Sequence, residues 1–90
     1  MPRVELRAAA RHYTEIQSEL GGRFYDAMDK LVREIRVQPT VFRMFDPPAR
    51  RHFGSKFPYA IVFLDLPDHV WVVAVMHFKQ RPGYWVERLA

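Results

Sequence analysis

Apolar positions in the first forty residues recur every three or four places. Leu6, Ala9, Tyr13, Ile16 and Leu20 are spaced 3, 4, 3 and 4, which draws one stripe along a helix predicted over residues 3–18. Pro2 suits a first helical turn, where its missing N–H does no harm. Gly21-Gly22 interrupts the pattern and predicts a turn. Phe24, Met28, Leu31 and Ile35 resume it in a second helix over 22–37, which Pro39 ends. Two helices joined this way form an antiparallel αα-hairpin whose stripe must cover something. Tyr13, Phe24 and Met28 therefore read as core.

The period then changes. Residues 57–65 and 70–78 are rich in β-branched and aromatic side chains and predict two strands, with Asp65 to His69 as the turn of an antiparallel hairpin. Both faces of each run are apolar, so the sheet needs cover on one side and partial shielding on the other. Arg50 to Phe53 forms a weaker third strand, and Thr40 to Ala49 reads as a loop. The predicted fold class is α+β, an N-terminal αα-hairpin packed on one face of a small antiparallel sheet, as a single domain over 1–90.

Composition narrows the function classes. Ninety residues with 49% hydrophobic and 14% aromatic content sustain a core and argue against disorder. No apolar run approaches the ~18–20 residues that cross a bilayer, and Met1-Pro2-Arg3 does not resemble a signal peptide. The absence of cysteine excludes disulfides, thiol nucleophiles and cysteine-bound zinc. No phosphate loop, nucleophile elbow or histidine pair with ligand spacing occurs, so no cofactor and no metal is expected. A cytoplasmic location fits these features.

Charge adds a partner class. The net charge of +4 is spread evenly, but no acid lies between Pro47 and Leu64 beside Arg50, Arg51 and Lys56. None lies between His69 and Val86 beside Lys79 and Arg81. Two positive stretches suit an anionic partner, either nucleic acid or an acidic protein segment, or a solvated basic surface. His77 opens the basic, aromatic stretch that runs through Arg81 and Tyr84 to Trp85. An imidazole that shuttles a proton near a phosphate-holding guanidinium is the minimum for RNA cleavage. The alternative is a strand-end histidine on a backbone carbonyl, with Tyr84 and Trp85 capping the core.

Taken together, Ala9-Ala10-Arg11-His12-Tyr13, Leu20-Gly21-Gly22-Arg23-Phe24, Pro39, Arg50-Arg51, Phe57-Pro58-Tyr59 and Ala74-Val75-Met76-His77 followed by Arg81-Pro82 resemble the RelE/ParE superfamily. These are toxins of bacterial type II toxin–antitoxin systems, and the likeness is to the plasmid-stabilisation, ParE-like branch. The resemblance implies a cognate antitoxin partner that wraps the toxin. It further implies one of two targets: DNA gyrase, bound without a known catalytic constellation, or mRNA on the ribosome, cleaved by basic residues with a tyrosine or histidine. An inactive, toxin-like interaction domain is the third reading.

For cleavage, the residues at matching positions are His77, Arg81 and Arg51, with Lys56, and no strand carboxylate accompanies them. For binding, they are Arg50, Arg51, Lys56, Lys79, Arg81 and Tyr84. Family members open with a strand ahead of the first helix, whereas here a helix begins within a few residues of Met1. An unpaired sheet edge is therefore expected, covered by a loop, a second subunit in a homodimer, or an antitoxin strand.

Overall fold

The computed structural model describes residues 2–80 and 83–89. Helix α1 spans Arg3–Ile16 and helix α2 spans Leu20–Val37. A 3₁₀ turn at Pro39–Val41 leads into four strands: β1 Met44–Asp46, β2 Ala49–Phe53, β3 Tyr59–Asp65 and β4 Val70–His77. The strands run β1-β2-β3-β4 as an antiparallel meander, and a second 3₁₀ turn follows at Val86–Leu89. The expected α+β arrangement holds, with the hairpin on one face of the sheet.

Each sheet face has its own core. Phe24, Met28, Leu31 and Ile35 of α2 pack with Ala9 and Ala10 of α1 against Ile61, Phe63, Val72 and Val75. Tyr13, Phe24, Phe57 and Tyr59 close one end as an aromatic cluster with centroid separations from 4.8 to 6.3 Å. Each fully buried large side chain of this core, such as Phe24, Met28 or Ile35, contributes about 1.5–3 kcal/mol. On the opposite face Ala49, Ala60, Val62, Ala74 and Met76 lie with Trp85, which is 1% exposed. The small alanines leave room for the indole, so the C-terminal segment shields the second face.

A bulge reconciles the two faces. Val62 pairs with Ala74 and Phe63 with Val72, which leaves Val73 as an extra residue in β4. Strict alternation would send Val72 and Val75 to opposite sides. The extra residue lets both meet the helices while Val73 and Ala74 join the other core.

Two expectations need correction. Gly21 and Gly22 do not form the turn between the helices; the turn is at 17–19, and both glycines lie in the first turn of α2. Gly21 is there because α1 passes close by: a Cβ would collide with Thr14 Oγ1 and sit 3.0 Å from the Ala10 carbonyl oxygen. The stretch expected to be a loop contains β1 and the first residue of β2, joined through Pro47-Pro48.

The outer edge of β4 carries its own cover. The Val75 N–H donates to Glu5 Oε1 at 3.2 Å, and the His77 N–H donates to Gln80 Oε1 at 2.7 Å. Arg88 Nη1 donates to the Val73 carbonyl at 3.1 Å. Side chains from α1 and the C-terminal segment thus occupy groups that a neighbouring strand would otherwise use.

Candidate functional site

Period-two geometry on β2 separates the adjacent arginines. Arg50 pairs in register with Phe63 and lies on the helix face. Its Nη1 donates to the Phe42 carbonyl at 2.8 Å and to the Thr40 carbonyl at 3.4 Å. Arg50 therefore ties the segment after α2 to the sheet. Arg51 pairs with Val62 on the other face. Its guanidinium carbon lies 4.3 Å from the Phe45 ring centroid and 4.8 Å from that of Phe53. Phe53 meets Phe78 edge-to-face at 5.3 Å, and both rings are about half exposed.

Among the described residues no carboxylate pairs with Arg51. The result is a cation set over two aromatic rings at the rim of an exposed apolar surface. Such stacking contributes ~0.5–1 kcal/mol, and it leaves the guanidinium edge free to grip an anion.

His77 sits elsewhere. It pairs with Tyr59 at the end of β4, with ring centroids 4.9 Å apart edge-to-face, and Tyr59 belongs to the helix-face core. Arg51 and His77 are thus on opposite faces, and three residues of register separate Val62 from Tyr59 along β3. The Lys79 N–H donates to His77 Nδ1 at 3.0 Å. The neutral ring that accepts this bond carries its proton on Nε2, and it has no second lone pair with which to act as a base.

Lys56 and Lys79 are exposed beyond the ends of β2 and β4, and Arg81 lies outside the described residues. Tyr84 is half-buried. Its hydroxyl donates to Glu5 Oε2 and lies 3.5 Å from the Val75 carbonyl, while Arg88 donates to Glu5 Oε1 at 2.7 Å. Burial first, then the Glu5 carboxylate, pushes the Tyr84 phenol far above its ordinary range. This tyrosine is a clamp between α1, β4 and the C-terminal segment. It is a poor proton shuttle.

Sequence reasoning missed three features. His52 Nε2 lies 3.1 Å from Glu34 Oε1 and its ring packs 4.3 Å from that of Phe42. That pair borders an open groove of about 810 Å³ between α2 and the β2–β3 connection, which Lys30, Leu31, Lys56 and Phe57 also line. Phe53 and Phe78 were the third omission. Alternation from Arg51 would have found Phe53, whereas their meeting across the sheet end depends on strand register.

No three histidine, aspartate or glutamate side chains gather to hold a metal ion among the described residues. No helix in them is long and apolar enough to cross a membrane. Models of known protein families, curated proteins and solved structures were all compared with the chain, and none matches it.

Proposed function

We propose that the chain is the toxin component of a type II toxin–antitoxin system of the RelE/ParE superfamily. In this reading it acts in the cytoplasm by binding an essential target of gyrase type, and a cognate antitoxin neutralises it. The observation that carries a binding role is the Arg51 surface. A guanidinium set over Phe45 and Phe53, beside exposed Phe78, suits an acidic segment whose apolar residues lie on the rings. The separation of His77 from Arg51 and the use of its Nδ1 by Lys79 argue for binding over catalysis.

Growth arrest on induced expression in bacteria tests the reading. Arrest by the wild type that survives His77→Gln and falls with Arg51→Ala supports a docking surface. If arrest requires His77 and ribosome-bound transcripts are cut, the endoribonuclease reading replaces it. Absence of arrest by the folded wild type means an inactive interaction domain.

A further inference from the structure

Arg3, Arg7 and Arg11 stand four residues apart on α1, so they share one side of the helix. All three are exposed. Among the described residues none takes part in an ion pair. Of the acids on α1, Glu5 is held by Tyr84 and Arg88, while Glu15 stands one turn beyond Arg11 and makes no ion pair with it. Helix α2 carries four cations to the three of α1, but two of the four are paired, Arg23 with Glu19 and Arg33 with Asp29.

The arrangement opposes the stability of α1. Like charges at i, i+4 repel, and Arg3 adds a cation at the helix end where the macrodipole is already positive. Leu6, Ala9 and Tyr13 supply the packing that holds the helix despite this. A ridge that costs the fold something and pairs with nothing among the described residues is suited to an anion from outside.

We propose that the Arg3–Arg7–Arg11 ridge of α1 is a binding surface for the phosphate backbone of duplex DNA. The ridge spans about 12 Å at ~1.5 Å per residue, and one strand presents a phosphate every ~3.4 Å of duplex axis. Three guanidiniums can therefore take at most about three phosphates of one strand, one through each planar fork. An acidic protein partner fits less well, because no aromatic side chain stands among these arginines to anchor it. The contacts read no base edge, so binding is independent of sequence. The surface is distinct from Arg51, and the inference does not depend on the toxin reading.

The experiment is fluorescence anisotropy of the full chain with a labelled mixed-sequence duplex, in sodium chloride from about 50 to 200 mM. The plot of log K against log salt should lose a slope of about 2.7 when Arg3, Arg7 and Arg11 are all changed to glutamine, at ~0.9 per phosphate contact. The triple lysine variant should keep the slope. A variant with Arg23, Lys30 and Arg33 changed to glutamine, which removes the same charge from α2, should lose less than one unit. Circular dichroism melting should show the glutamine ridge variant folded and at least as stable as the wild type. Equal loss in the two glutamine variants would overturn the proposal, as would no measurable duplex binding at the lowest salt. Tighter binding of polyglutamate than of the duplex would equally overturn it, in favour of an acidic protein partner.

Discussion

The Tyr84 hydroxyl donates its hydrogen to the Glu5 carboxylate, joining positions 79 residues apart in the chain. Glu5 also accepts from Arg88 and from the Val75 N–H. One side chain of α1 thereby fastens the C-terminal segment to the edge of β4. Tyr84→Phe keeps the ring and removes a hydrogen bond to a charged group, which is worth about 1.5–3 kcal/mol. The substitution should lower the urea midpoint without changing the m-value. An unchanged midpoint would show that the clamp contributes nothing.

The same contact sets a pH dependence. The Tyr84 phenol is raised above its ordinary value of 10.0 by burial and by Glu5, so the native state holds this proton more tightly than the unfolded chain. Its contribution is complete below the unfolded value and is lost as pH climbs from there toward the folded one. Tyr13 and Tyr59 are raised in the same direction by burial. Stability of the wild type should therefore fall above pH ~10. Tyr84→Phe should flatten that fall only in part, which equilibrium unfolding from neutral to alkaline pH will show.

Gly21 and Gly22 are neighbours with opposite roles. An alanine at 21 would meet Thr14 Oγ1 and the Ala10 carbonyl, whereas one at 22 meets nothing within 4 Å. Gly21→Ala should destabilise by about 1–3 kcal/mol through overpacking of the helix contact. Gly22→Ala should stabilise by ~0.4–1 kcal/mol by restricting the unfolded chain. Thermal melting of the two variants is a direct check, since a turn role for both glycines would make both changes harmful.

Arg50 and Arg51 should divide stability from binding. Arg50→Ala leaves the Phe42 carbonyl without its 2.8 Å donor and should cost about 1–2 kcal/mol of stability. Arg51→Ala removes only the stacking on Phe45 and Phe53 and should cost ~0.5–1 kcal/mol. If the proposed docking surface is right, Arg51→Ala should weaken association with an acidic partner by about 1–3 kcal/mol. Calorimetric titration compared with melting curves separates the two effects. Equal losses of stability would mean that both arginines serve the fold.

Local period alone determined much of this protein. Phe24, Met28, Leu31 and Ile35 repeat at helical spacing, and the β-branched runs on either side of Asp65–His69 can bury themselves only as a paired sheet under the helices. Those patterns need no knowledge of neighbours, because each follows from how a backbone turns per residue. Tertiary structure decided what required two distant segments at once. Gly21 is a glycine because α1 crosses there. Val73 is an extra residue because both sheet faces must be filled. Glu5 has its role because the middle of β4, at Val75, passes beside the first turn of α1. The candidate site divides along the same line. Alternation alone dictates that Arg50 and Arg51 point apart. Which of them meets backbone carbonyls and which meets aromatic rings was decided by the packing of the helices on one face and Trp85 on the other.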